Sequence, residues 1–116
     1  MSLAGRFLFS AAMDVVPDRE TLFHEVYDTE HVPLILTVPG VISAARFELQ
    51  PLTMRLGGER TTMDPQGAPR FHALYELESP DVLLTDAWAK AAEQGRWPAH
   101  VRPHTLNRRH LLMRRI

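Results

Sequence analysis

The chain has 116 residues with 13 basic and 14 acidic side chains, so its formal net charge is -1 at neutral pH. This length predicts one domain over residues 1–116, and the balanced charge argues against binding to nucleic acid or to an acidic membrane surface. The absence of cysteine excludes disulfides, thiol nucleophiles and thiolate metal sites, and it favours a cytoplasmic location. No apolar run is long enough for a targeting or membrane-spanning segment, so we expect no membrane role.

The chain begins with a predicted strand and helix. Residues 5–13 alternate as in a strand, and both of its faces are largely apolar. Pro17 is typical of a first helical position, and the acids Asp18 and Glu20 suit the positive end of the helix dipole. We expect this helix to kink or stop near Pro33, because a proline ring disfavours the α conformation of the preceding residue.

A second strand and a long loop come next. The alternation over residues 41–49 places Phe47 on one face and both Arg46 and Glu48 on the other. Residues 50–69 contain three prolines and three glycines, and they show no helical or strand period. We therefore expect a mobile loop there, which serves as a lid or as a plain insertion.

The second half predicts a strand, a helix and a last strand. Residues 70–78 alternate strictly, with Phe71 and Tyr75 on one face. Ser79-Pro80-Asp81 is a helix start, and Gly95 is a helix stop. The apolar stripe of this helix consists of Leu84, Trp88, Ala91 and Ala92. A last strand is expected over residues 106–116, after an irregular segment.

The resulting order, β-α-β-β-α-β, predicts an α+β ferredoxin-like sandwich. Right-handed crossovers fold this order into a four-stranded antiparallel sheet with two helices on one face. Neither face of the sheet is mostly polar, so we expect a second copy to cover the open face in a homodimer. RNA-recognition domains share the order, but strand three lacks their glycine and spaced aromatics, which argues against RNA.

The best candidate for a working residue is His31. Phe23, Tyr27, His31 and Leu34 follow one another at steps of four, four and three, so they share one helix face. An imidazole on an apolar face, one turn after a phenol, suits acid/base chemistry near neutral pH. The alternative is a core histidine satisfied by one hydrogen bond.

We predict a small site around this histidine. His31 would act as the acid/base group, with the phenols of Tyr27 and Tyr75 as hydrogen-bonding or proton-donating groups. Phe23 and Trp88 would form an apolar wall against the ligand. The alternative for the aromatic residues is ordinary core packing between the helices and the sheet.

Other polar residues allow weaker interpretations. Arg46, Glu48, His72 and Glu76 are expected to face away from Tyr75 and to form polar pairs at a subunit interface. His100, His104 and His110 invite a metal site, but Pro103 disrupts their spacing and no carboxylate lies near, so we expect no metal. The last strand is basic and could hold an anionic substrate group, although we prefer edge charges that discourage aggregation. Its arginines are Arg108, Arg109, Arg114 and Arg115.

Three stretches together resemble the EthD-like branch of the dimeric α/β-barrel superfamily. They are Tyr27-Asp28-Thr29-Glu30-His31-Val32-Pro33, Val38-Pro39-Gly40, and Ala73-Leu74-Tyr75-Glu76-Leu77 before Ser79-Pro80-Asp81. The resemblance implies a homodimer with face-to-face sheets and a small-molecule pocket between sheet and helices. It is compatible with a cofactor-independent oxygenase, isomerase or cyclase that acts on a small aromatic or polyketide-like compound. The alternative is a non-catalytic ligand-binding or protein-interaction module.

Overall fold

The computed structural model describes residues 5–116. Its strands are Phe7–Val15 (β1), Val41–Glu48 (β2), Leu52–Leu56 (β3), Glu59–Met63 (β4), Phe71–Leu77 (β5), Thr105–Leu106 (β6) and Leu111–Arg114 (β7). The main sheet has the order β2-β5-β1-β6, with β7 also paired to β1, and every pair is antiparallel. The helices cover one face of this sheet, where the apolar core lies. The predicted α+β ferredoxin-like fold is confirmed.

Helix one consists of four consecutive segments. They are a 3₁₀ turn at Pro17–Arg19, helix α1 at Glu20–Val26, a π turn at Tyr27–His31, and helix α2 at Val32–Ile35. The backbone N–H of Val32 donates to the carbonyl of Tyr27, five residues back. The wider π turn relieves the clash that the Pro33 ring would make with the carbonyl four residues earlier. The helix therefore changes register near Pro33 and continues for two more residues.

The predicted second helix is divided into two short ones. Pro80–Leu84 forms a 3₁₀ helix, and Asp86–Ala92 forms helix α3. Thr85 between them has extended backbone angles, and its hydroxyl accepts a hydrogen bond from the backbone N–H of Trp88 at 3.1 Å. This capping bond starts a new helix and turns Leu84 outward, where it is 85% exposed. The predicted apolar stripe is therefore wrong at Leu84.

The prediction of an unstructured loop over residues 50–69 is wrong. Strands β3 and β4 form a hairpin closed by Gly57-Gly58, whose φ angles are +59° and +85°. Two successive positive φ angles define the tight turn that suits the twist of a hairpin, and glycine adopts them without strain. The missed signals were this glycine pair and the alternation of Leu52, Met54 and Leu56. The hairpin forms a separate two-stranded sheet.

A bulge in β2 changes which side chains face the helices. The register with β5 shifts between Val41 and Ser43, which inserts one residue and reverses the alternation beyond it. Phe47 consequently lies on the open face, and Arg46 lies on the helix face beside Tyr75. The prediction that Arg46 faces away from Tyr75 is wrong.

The other predicted interface residues divide in the same way. Glu48 pairs across the strands with Phe71 on the helix side and accepts a hydrogen bond from the Arg70 guanidinium at 3.0 Å. Its predicted place on the face opposite Tyr75 is therefore also wrong. His72 and Glu76 lie on the open face as predicted.

Candidate functional site

A cavity of about 140 Å³ lies between the main sheet and helix one. Helix one contributes Tyr27 and His31, and strand β5 contributes Tyr75. The three residues predicted to form a site thus line one cavity, because helical spacing and strand alternation bring them to the same layer. The other lining residues are Phe9, Ala11, Met13, Ala92, Trp97, Arg102, Arg108 and His110.

His31 lines this cavity, and its imidazole contains a buried, unpaired polar atom. Its side chain is 8% exposed, and Nδ1 is buried without a hydrogen-bond partner among residues 5–116. Burial, with a smaller contribution from the Arg102 charge, lowers the pKa of His31 to about 4. The imidazole is therefore neutral at pH 7 and has one nitrogen that accepts a proton. The alternative of a core histidine satisfied by its own chain does not account for Nδ1.

The two phenols form a coupled pair beside His31. The hydroxyls of Tyr27 and Tyr75 are hydrogen-bonded to each other, and burial is the main cause that raises the pKa of both phenols. The Arg46 guanidinium lies 4.4 Å from the centre of the Tyr27 ring and partly opposes this rise. Both phenols therefore stay protonated at neutral pH, and because one O–H is used within the pair, the other can donate a hydrogen bond to a bound molecule.

Trp97 is a site residue that the sequence analysis missed. Its ring stacks on the His31 imidazole, with 4.5 Å between ring centres and 23° between planes. The turn before it is fixed by Glu30, whose carboxylate accepts from the backbone N–H of Arg96 at 2.9 Å and from its Nε at 2.6 Å. Gly95 in this turn has a φ of +70°, and a Cβ there would lie 2.7 Å from the Glu30 carboxylate. The turn at Gly95 and Arg96, held by Glu30, therefore positions Trp97 against His31.

Phe23 and Trp88, the predicted apolar wall, do not line the cavity. Phe23 is fully buried in the core and meets the Tyr27 ring at 5.3 Å between ring centres. Trp88 is half-buried and packs edge-on against Phe9 at 5.8 Å and Tyr75 at 6.0 Å. Both rings support cavity residues from behind.

The last predicted strand is interrupted at residues 107–110, and this interruption builds the cavity mouth. Asn107 has a φ of +52°, and its side-chain amide donates to the Asp14 carboxylate at 2.9 Å. Pairing with β1 resumes at β7. The bulging segment brings Arg108 and His110 to the cavity, and the His110 ring meets Phe9 edge-on at 5.7 Å. Neither residue was predicted to be part of the site.

Within residues 5–116, no group of three or more His, Asp or Glu side chains is arranged to hold a metal ion. Of the three histidines weighed as a metal set, His110 lines the cavity, while His100 and His104 do not. In the same part of the chain, none of the helices has the length and apolar character needed to cross a membrane.

No protein-family model and no curated protein matches the chain. Several solved structures do. An EthD (ethyl tert-butyl ether) family protein from Bacillus halodurans C-125 aligns with a TM-score of 0.59 and 13% identity, over 95% of this chain and 99% of that chain. The haem degrader MhuD from Mycobacterium tuberculosis, with two haems in its active site, aligns with a TM-score of 0.53 and 14% identity, over 95% of each chain.

A candidate antibiotic biosynthesis monooxygenase from Bacillus cereus aligns with a TM-score of 0.51 and 16% identity, over 96% of this chain and 92% of that chain. These neighbours share the ferredoxin-like fold with this chain, and one of them is an EthD family protein. The predicted resemblance is thereby confirmed for the fold. At these identities the likeness describes the backbone and leaves the chemistry to the residues of the site.

Proposed function

We propose that the cavity binds a small molecule and that His31 acts on it as a general acid/base without a cofactor. The unpaired, buried Nδ1 of His31 carries this proposal. A buried polar atom without a partner costs roughly 1–3 kcal/mol, and buried polar groups are otherwise almost always paired. A bound molecule that donates to Nδ1 would remove this cost. A buried polar atom that lacks a partner in the free protein is typical of a site whose ligand supplies that partner.

The chemistry that fits this arrangement is proton transfer. Nδ1 of the neutral His31 takes a proton from an acidic O–H or C–H of the substrate, and the imidazolium later returns it to the product. The Tyr27 and Tyr75 pair donates its remaining O–H to the oxygen on which negative charge develops. An isomerisation or cyclisation of a small aromatic or polyketide-like compound balances in this way, whereas an oxygenase reaction also consumes O₂.

The haem that MhuD binds does not fit this cavity. Its volume of about 140 Å³ is below the roughly 300–1,000 Å³ of pockets for drug-sized ligands, and a porphyrin is larger than most of those. We therefore assign no haem step to the site. The second possibility is that the protein binds a ligand in the same cavity without converting it.

The test of the acid/base role is His31→Ala, assayed on a panel of single-ring hydroxyaromatic compounds and lactones. Loss of a general acid/base lowers the rate roughly 10²–10⁴-fold, while the folded chain should persist. His100→Ala, on an exposed histidine outside the cavity, is the matched control and should keep the parent rate. A His31→Ala protein that melts early but turns over normally while folded would assign His31 to the core.

The open face of the main sheet supports a homodimer. Apolar side chains lie on it without cover, and Phe47 is 50% exposed and Leu111 53% exposed. The other members of this apolar face are Leu8, Ala45, Leu74 and Met113. A self-complementary patch on a two-fold axis is the commonest way to cover such a surface.

Sedimentation of the intact chain at micromolar concentration should give about twice 13.2 kDa. Phe47→Asp should dissociate this dimer, because it buries a charge in the contact. Leu84→Asp, on the exposed helix side, is the control and should stay dimeric. A parent chain that sediments as a monomer would refute the homodimer.

A further inference from the structure

The cavity mouth holds more positive than negative charge. The Arg102 guanidinium forms two contacts of 2.9 Å with the Glu93 carboxylate, so its charge is compensated. Arg108 has no carboxylate partner in the described part of the chain, although it lines the same cavity. One cation at this mouth is therefore left without a counter-charge.

Arg108 is nevertheless held in place. Its Nη2 donates to the Thr105 hydroxyl at 2.7 Å and to the Arg102 carbonyl at 3.2 Å, and its Nε also donates to Thr105 at 3.2 Å. These bonds leave Nη1 without a hydrogen bond to residues 5–116. A fixed guanidinium loses little freedom when it binds a carboxylate, in contrast to an arginine that moves freely in solvent.

The neighbouring titratable groups add no negative charge. Burial, with a smaller contribution from the Arg108 charge, lowers the pKa of His110, so its imidazole is neutral at pH 7. His31 and the two phenols are neutral as well. No acid is among the described lining residues, and the acid that bonds to one of them, Glu93, is already paired with Arg102.

The cavity matches one ring in size, and its surface is polar and apolar in about equal parts. A cavity of about 150 Å³ is known to take a benzene molecule, and this one measures about 140 Å³. Its aromatic walls come from Phe9, Tyr75 and Trp97, and Met13 and Ala11 supply aliphatic surface. A second fused ring would need more room than the cavity has.

We propose that the ligand of this cavity is a single-ring aromatic carboxylate that carries a hydroxyl group. The ring lies against the apolar walls formed by Phe9, Met13 and Trp97, the carboxylate pairs with Arg108 at the mouth, and the hydroxyl donates to Nδ1 of His31. This proposal rests on the proposed function and narrows it to one substrate class. The sequence pattern favours interpreting Arg108 as an edge-strand charge that discourages aggregation. This proposal replaces that interpretation, because such a charge needs neither a fixed guanidinium nor a cavity beside it.

The test is calorimetric titration of the full chain with 4-hydroxybenzoate, its neutral analogue 4-hydroxybenzamide, and 6-hydroxy-2-naphthoate. We expect 4-hydroxybenzoate to bind at least about 10-fold more tightly than 4-hydroxybenzamide, since a hydrogen-bonded charge pair supplies that much. We also expect it to bind more tightly than 6-hydroxy-2-naphthoate, because the second ring of the naphthoate needs more room than the cavity has. Arg108→Met should remove the preference for carboxylate over amide, and Arg108→Lys should keep part of it. Arg109→Met, on a neighbouring arginine that does not line the cavity, should change nothing.

The possible outcomes distinguish a failure of this ligand proposal from a failure of the proposed function. If the carboxylate and the amide bind equally well, and Arg108→Met changes neither affinity, the claim that Arg108 binds a carboxylate would be wrong. The proposal that the cavity binds a small molecule would still stand. If the naphthoate binds as tightly as 4-hydroxybenzoate, the claim that the ligand has a single ring would be wrong, and the proposal of a small-molecule cavity would again still stand. Failure of all three probes overturns the substrate class, and the wider panel of lactones and hydroxyaromatics then decides whether His31 acts on any ligand.

Discussion

The two faces of the main sheet differ in what each leaves incomplete. On the open face, the buried carboxylate of Glu76 accepts from the Gly5 N–H at 2.8 Å and from the Ser43 hydroxyl at 2.6 Å, while Phe47 is half exposed. On the helix face, the aromatic side chains are covered, and the imidazole of His31 keeps an unpaired nitrogen. On the open face the buried polar group has its hydrogen bonds while apolar side chains are exposed. On the helix face the apolar side chains are buried while a polar atom lacks its hydrogen bond.

This difference indicates two kinds of partner. Exposed apolar surface is stabilised by contact with another protein surface, whereas a buried, unpaired polar atom in a cavity of about 140 Å³ is stabilised by a small molecule. Chemistry is therefore expected on the helix face and association on the open face. The following variants test that division.

The largest expected effect is from Trp97→Ala. Trp97 is 4% exposed and contacts Tyr27 and His31, so truncation should cost about 3–5 kcal/mol of unfolding free energy. Phe47→Ala on the open face should cost about 1 kcal/mol or less at concentrations where the chain is monomeric. Urea unfolding measures both. Equal costs would mean that the two faces are not distinct in the monomer.

The next effect is on the pH dependence of stability. The pKa of His31 is about 4 in the folded chain and about 6.5 when unfolded, so between these values the unfolded chain binds more protons. Stability from this group is complete above pH 6.5 and is lost as the pH falls to 4, by about 3 kcal/mol. Unfolding free energies of the parent minus those of His31→Ala should show this fall. A constant difference would contradict a buried, neutral His31.

Paired hydroxyls on the two faces allow a matched comparison. Tyr75→Phe removes the hydrogen bond between the Tyr75 and Tyr27 hydroxyls, and Ser43→Ala removes a donor to Glu76. Each should lower the free energy of unfolding by about 1 kcal/mol. Tyr75→Phe should in addition weaken binding of 4-hydroxybenzoate, and Ser43→Ala should not. Weaker binding in both variants would remove the distinction between the faces.

The smallest effect is expected from the hairpin. Strands β3 and β4 pair with each other and not with the main sheet, and Leu52 and Met54 remain about half exposed. Replacing residues 51–64 by a short Gly-Ser link should change the monomer's unfolding free energy by about 0.5 kcal/mol or less. Urea unfolding and ligand titration would check this. A large loss would show that the hairpin supports the cavity.

The fold was predictable from sequence because its core strands alternate strictly and its helix starts are marked. Residues 70–78 and the Ser79-Pro80-Asp81 cap are examples. The bulge between Val41 and Ser43 was not predictable, since an inserted residue leaves the alternation of β2 unbroken in the sequence. Arg46 was misplaced for that reason. Thr85 was missed because a single threonine is tolerated inside a helical pattern at a small cost.

The candidate site was predictable only where regular periods apply. Spacing placed Tyr27, His31 and Tyr75 in one layer, and the structure brings them to one cavity. Trp97 and Arg108 come from irregular segments, where no period assigns a side chain to a face. Their positions depend on tertiary contacts, such as the bonds between Glu30 and Arg96, which span 66 positions of the chain. The catalytic role of the site stays a prediction.

The most direct test of the central claim is a ¹⁵N NMR titration of the His31 imidazole, with and without 4-hydroxybenzoate. The structure predicts a pKa of about 4 in the free protein and a neutral ring at pH 7. It also predicts a shift of the Nδ1 signal when the hydroxyl of the ligand donates to that atom. A pKa near 6.5, together with an Nδ1 signal that the ligand leaves unchanged, would contradict a buried, unpaired His31 at the centre of the site.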